Sequence, residues 1–303
     1  TYILIIANAE KIETKFKAWT LWLTFGALGI LFVLLVPIKP FSDMAYVTDG
    51  ALLFANLDID GIMASDYLQM ITKNLKVSFF YGILAILLPK NVFSLRLVNV
   101  VFYLLISHFL GKISKNLGFK YPKVIFIISA SYIPLFLYCN HIYFDLPTLL
   151  MCILAFYFYT KEHNFKNILL SSIFLGVGCC LRVLAYLVFV ALFIDFLFKH
   201  WKELFNRSFK RFGIIIAFTV ITLGIPKICD TTVNTFFRVE NAQSETIWNL
   251  FCMGINEYEF GFMHNEIATA ENKSFNDFYE LLVSRNAEQN VKLFGRKIFW
   301  TWS

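Results

Sequence analysis

Seven stretches of this chain are apolar over a length that approaches or matches the thickness of a lipid bilayer, and that feature constrains the fold more than any other. They are Ala18–Val36, Phe93–Leu110, Val124–Cys139, Leu146–Thr160, Ile168–Leu181, Val183–Phe198 and Phe212–Ile228. Roughly 18 apolar residues suffice for a helix to cross the hydrocarbon. A soluble domain needs about a quarter of its residues charged; here 16% are charged and 58% hydrophobic. The expected fold is therefore all-α, a polytopic transmembrane helical bundle of about seven spans. The net charge of +6 is modest, and the basic residues lie between apolar blocks instead of on one solvated face. That distribution excludes a nucleic-acid partner.

Charge also sets the expected topology. The apolar stretch Val77–Pro89 is short for a span and reads as a juxtamembrane helix. If it does not cross, the basic segments fall on one side: Lys11, Lys15 and Lys17; Lys112, Lys115, Lys120 and Lys123; Lys161 and Lys166; Lys199, Lys202, Arg207, Lys210 and Arg211. The positive-inside rule makes that side cytoplasmic. Residues 1–17 are then a cytoplasmic segment or the tail of an upstream helix. Residues 18–228 form the transmembrane domain with an outer loop over 37–92, and residues 229–303 form a large outer loop. Amphipathic helices are predicted near Phe275–Arg285 and Ala287–Trp300, with Trp300 and Trp302 as interfacial anchors. The chain opens at Thr1 and stops at Ser303, and reads as part of a longer protein. This predicts a multi-pass protein of the cell membrane with a cytoplasmic N-terminus.

Six cysteines are present without a CxxC pair, which excludes the usual zinc and redox motifs. Cys229 and Cys252 could pair outside the membrane, or stand as two thiols.

The candidate chemistry lies on the outer side. Asp43 follows the first span within Lys39-Pro40-Phe41-Ser42-Asp43. Ser42 or Asp43 could cap a helix over Met44–Ala55; equally, Asp43 could act as a general base beside a lipid headgroup. Asp145, in Asn140-His141-Ile142-Tyr143-Phe144-Asp145-Leu146-Pro147, is either a second cap or a second site acid. His141 is a ligand or a hydrogen-bonded interfacial histidine. Asp43, Asp145 and His141 permit a divalent metal ion without demanding one. Arg96 and Arg182 sit at the outer ends of spans, where an arginine needs an anionic partner or a route to water. Its planar fork matches a phosphate. Lys73, Lys76 and Lys90 add positive charge. Asp195 reads as the i,i+4 partner of Lys199. Two acids and two arginines beside lipid suit a reaction on a lipid phosphate, with Asp43 as base and Arg96 or Arg182 facing the leaving phosphate.

These segments, in order, resemble a known group. The first span followed by Pro40-Phe41-Ser42-Asp43, then Tyr67-Leu68-Gln69-Met70, Ser94-Leu95-Arg96-Leu97, Tyr143-Phe144-Asp145-Leu146-Pro147, Gly176-Val177-Gly178, Leu181-Arg182 and Phe299-Trp300-Thr301-Trp302-Ser303 are similar to the GT-C superfamily of integral membrane glycosyltransferases. The protein O-mannosyltransferase and aminoarabinose-transferase branch, in its Gram-positive bacterial form, is the nearest in pattern. The resemblance implies transfer of a sugar from a polyprenyl-phosphate donor to a hydroxyl outside the cytoplasm. The acceptor would be an envelope polymer, a glycolipid or a protein. It implies Asp43 as the base, Asp145 as the second site acid, and Arg96, Arg182 and Lys73 at the lipid phosphate. Ile71-Thr72-Lys73-Asn74 departs from the Tyr-Pro-Asn or Tyr-Pro-His of relatives. A non-catalytic pseudoenzyme is one alternative that this departure supports. A transporter or flippase of lipid-linked sugars is the other, although mid-span positions are almost free of charge.

Overall fold

In the computed structural model of the chain the described residues are 2–161, 164–205, 209–237, 275–284, 286 and 288–293. All regular structure among them is helical. The chain divides into two compact units, Thr1–Glu240 and Asn241–Ser303.

The first unit runs through α1 (Tyr2–Ala7), α2 (Ala9–Lys15), α3 (Ala18–Leu35), α4 (Asp43–Ala55), α5 (Ile59–Met63), α6 (Asp66–Met70) and α7 (Thr72–Ala85). It continues with α8 (Val92–Asn116), α9 (Pro122–Ala130), α10 (Ile133–Leu137), a 3-10 turn over Tyr138–Asn140, α11 (Asp145–Tyr159), α12 (Phe165–Leu181), α13 (Ala185–Phe205) and α14 (Phe209–Phe236). Helix α8 is the hub: α3, α9 and α11 all pack on it. It buries Asn99 and Ser107, each bonded: Asn99 accepts from Tyr81 and Ser107 donates to the Tyr103 carbonyl. A buried polar group without such a partner is costly.

Helices α4 and α7 form a tight pair. A side chain at Gly82 would bring its Cβ within 2.3 Å of the Phe54 Cβ, so only glycine permits this approach. The Ser78 hydroxyl lies 3.1 Å from the Val47 carbonyl across the same seam. A helix therefore covers most of the expected apolar run, as α7 over Thr72–Ala85. It starts before that run, where Asn74 is buried and bonded to the Tyr67 hydroxyl.

The span pattern is partly reproduced. Among the described residues three helices are long and apolar enough to cross a membrane: Ala18–Leu35, Val92–Asn116 and Arg211–Phe236. The stretch expected at Val124–Cys139 is not one straight rod. Pro122–Ala130 and Ile133–Asn140 meet at 61° and make a fourth crossing only if counted as one bent span. Pro134 supplies no N–H to continue the ladder, and the Ala130 carbonyl accepts from the Tyr103 hydroxyl instead. Helices α11 and α12 are apolar but short. Helix α13 turns polar in its second half, where Asp195 holds both Tyr159, at 2.6 Å, and Lys199, at 2.8 Å. The i,i+4 reading of Asp195 is thus observed.

In the second unit the first expected amphipathic helix is α15 (Phe275–Val283). A further helical turn covers 288–293. Asn286 and Gln289 cap it reciprocally, at 2.8 and 3.1 Å. Trp300 and Trp302 lie outside the described residues.

Candidate active site

Both candidate acids open a helix, and neither caps it. Helix α4 begins at Asp43 after Ser42, whose φ of 49° is in the left-handed region and whose hydroxyl makes no cap bond. Helix α11 begins at Asp145 after Phe144, again without a side-chain cap. Elsewhere in the unit Asp58, Ser65, Asn91 and Asn164 do perform this task. Forgoing a cap costs about 1 kcal/mol. The expectation that Ser42, Asp43 or Asp145 caps its helix is therefore corrected: both carboxylates are turned to tertiary partners.

Asp43 is held by neutral groups. The Tyr143 hydroxyl donates to its Oδ2 at 3.0 Å and also lies 3.2 Å from Asn74 Oδ1. Asn74, fully buried on α7, donates from Nδ2 to the Tyr67 hydroxyl at 2.8 Å. The Tyr67 hydroxyl lies against the same Asp43 carboxylate, and Tyr46 stacks on its ring at 3.9 Å. Asp43, Tyr143, Asn74 and Tyr67 thus close a ring drawn from α4, the 141–144 loop, α7 and α6. Burial, then the Asp43 charge, pushes both phenols above their ordinary range. Both stay protonated and remain donors.

Asp145 is held by charge. It pairs with Arg182, which follows the last residue of α12, and its Oδ2 lies 3.8 Å from His141 Nε2. The Arg182 guanidinium sits 4.4 Å above the Phe144 ring. His141 is pushed below its ordinary value by burial, which Asp145 opposes. The 141–144 loop is fixed from beneath: the Tyr81 hydroxyl, which donates to Asn99 Oδ1 at 2.6 Å, also lies 3.1 Å from the Tyr143 carbonyl, and Asn99 donates to the His141 carbonyl at 3.0 Å. Tyr143 feels both acids, Asp43 more strongly than Asp145.

The remaining candidates are dispersed around this core. Arg96, on the first turns of α8, is buried and donates to the Ile38 carbonyl, while its Nε has no partner. Among the described residues it meets no acid, and it fastens the chain leaving α3. Lys73 is half-buried in the first turn of α7. Lys76 pairs with Asp230 of α14 at 2.6 Å, and Lys90 is exposed. Among the described residues no group of three or more His, Cys, Asp or Glu side chains is close enough to hold a metal ion. Asp43, Asp145 and His141 are thus not assembled as one ligand set. A cavity of about 220 Å³ opens beside His141, lined also by Ile38, Phe41, Tyr138 and Asn140.

The residues missed as functional by sequence reasoning are Tyr67, Asn74 and Tyr143. Two stood inside motifs already singled out. Asn74 stood in the segment that looked like a departure, and the available signal was the presence of phenols close in sequence to a buried amide.

No curated protein and no solved structure matches the chain. Residues 73–225, half of its length, match the sequence model of the dolichyl-phosphate-mannose-protein mannosyltransferases. That stretch begins at Lys73 and takes in Asn74, the acid at Asp145 and Arg182; the chain belongs to this family of membrane glycosyltransferases, which take their sugar from a lipid-linked donor.

Proposed function

We propose that this chain transfers a sugar from a polyprenyl-phosphate donor to a hydroxyl acceptor at the outer face of the cytoplasmic membrane, with Asp43 as general base. The observation that carries the reading is the neutral ring around Asp43. Its protons can be counted. With Asp43 ionised, Tyr143 has one proton and two acceptors, the carboxylate and Asn74 Oδ1. One of the two goes without. When Asp43 takes up a proton it can donate to Tyr143, Tyr143 to Asn74, Asn74 to Tyr67 and Tyr67 back to Asp43. Proton uptake completes the ring, which is the property a base requires.

In the proposed step the acceptor hydroxyl gives its proton to Asp43 as its oxygen bonds to the anomeric carbon of the sugar. The bond from that carbon to the phosphate oxygen breaks, and the electron pair leaves with the polyprenyl phosphate. Arg182, positioned by Asp145, meets that charge. General-base catalysis of this kind contributes about 10²- to 10⁴-fold. Seven crossings with a cytoplasmic N-terminus would place the ring outside, where lipid-linked sugars serve in place of nucleotide sugars. The acceptor class is an envelope polymer, a glycolipid or a protein. The family name makes mannose the first sugar to test. Asn74 also bears on the pseudoenzyme alternative: the departing Ile71–Asn74 stretch supplies the residue that closes the ring.

The test is transfer of radiolabelled mannose from polyprenyl phosphate to envelope acceptors by membranes carrying the full protein. Asp43→Asn should abolish transfer and leave insertion intact. Wild-type turnover in that variant would remove Asp43 from the role.

A further inference from the structure

We propose that Cys180 and Cys229 are a disulfide-forming pair that locks α12 to α14 beside the site. The two helices meet along one parallel seam, and three successive turns define its register. Thr222 of α14 lies 3.5 Å from the Ser172 carbonyl of α12. Next, Gly176 faces Ile225 so closely that a Cβ would fall 2.9 Å from the Ile225 side chain. The glycine lets the backbones approach, which a bridge between helices demands, since its Cα atoms must come within about 7 Å. On the following turn the Cys180 thiol faces the Cys229 thiol. Cys180 is 7% exposed and Cys229 half-buried. Cys252, the partner that sequence position suggested for Cys229, lies outside the described residues.

The pair sits between two ion pairs. Cys180 is two residues before Arg182, which holds Asp145. Cys229 is next to Asp230, which holds Lys76 of α7, two residues after Asn74. A bond here would fix the spacing between the helix end that carries Arg182 and the helix that braces α7. Oxidation removes two protons and two electrons from the thiols and forms one S–S bond. The co-reactant is an exchangeable disulfide, of a small molecule or of a thiol-oxidising protein, which leaves as two thiols.

The bond's presence in cells rests on the proposed outward orientation of this end, whereas its formation in purified protein does not. The purified chain in lipid nanodiscs is reduced, equilibrated with oxidised glutathione, acid-quenched, alkylated with N-ethylmaleimide and digested. Mass spectrometry should find the Cys180 and Cys229 peptides joined. The thermal midpoint should rise by about 5 °C in the oxidised wild type, and in neither Cys180→Ser nor Cys229→Ser. Alkylation of both thiols in the oxidised sample, or linkage of Cys229 to Cys252, overturns the proposal. A second arm labels intact cells carrying Lys90→Cys with a membrane-impermeant maleimide. Labelling only after lysis sinks the orientation, leaving the nanodisc result to judge the pair. Labelling in intact cells together with a reduced pair in directly quenched membranes overturns the bond in the cell.

Discussion

The two acids of the site share a tyrosine, Tyr143, which donates to Asp43 and stands two residues before Asp145, yet they live in different chemistry. Asp145 is compensated by a guanidinium and faces an imidazole, so its charge is part of the structure. Asp43 is surrounded by two phenols and, through them, an amide, none of which carries charge. On the proposed function, the contrast gives proton traffic to Asp43 and positioning to Asp145.

That division can be broken by experiment. Asp43→Asn carries the largest expected effect, about a 10³-fold loss of transfer with little change in thermal stability. Equal activity in this variant would erase the distinction. Asp145→Asn should reduce transfer by about 10²-fold through loss of positioning. It should also cost about 1–2 kcal/mol of stability, discounted because both partners are partly exposed. Adding Arg182→Gln should recover part of that stability without restoring transfer, the signature of a removed ion pair in a double-mutant cycle. Tyr143→Phe and Asn74→Leu should each lower turnover about tenfold, since the ring no longer closes but the base remains. A silent Tyr143→Phe would reduce the ring to packing.

The smallest effect is a pH dependence at His141. Its folded-state value is pushed below the ordinary 6.5. The unfolded chain therefore takes up the proton first, so stability is full above that value and falls as pH drops below it. His141→Gln should remove this acid-side loss. Thermal melts from pH 7 to 5 would show it as converging midpoints.

Much of the fold was legible because apolar blocks report helices directly. The boundaries of α3 follow its apolar run almost residue for residue. The break between α9 and α10 was not legible: Pro134 is compatible with either a helix start or a kink, and the tertiary bond from Tyr103 to the Ala130 carbonyl belongs to no local pattern. At the site, the acids were legible by position and their partners were not. Asp145 and Arg182 are far apart in sequence, and Asp43 and Tyr143 farther still. Asn74 was hidden most deeply, since a motif comparison registers it as a mismatch while its geometry makes it the hub.

The shortness of α11 and α12 has a consequence for the surrounding membrane. At 1.5 Å per residue, helices over Asp145–Tyr159 and Phe165–Leu181 rise only about 22 and 25 Å. A hydrocarbon layer is about 30 Å thick. Set across a bilayer, these helices cannot lift both of their ends clear of it, so the lipid must thin on that flank or the Asp145–Arg182 pair must lie below the headgroup plane. On the proposed function, either outcome brings the ion pair and the lipid surface closer together at the place where a long-chain phosphate would be met. A substrate with its tail in the bilayer could then bring its headgroup to the ion pair by moving sideways, without being drawn out of the membrane.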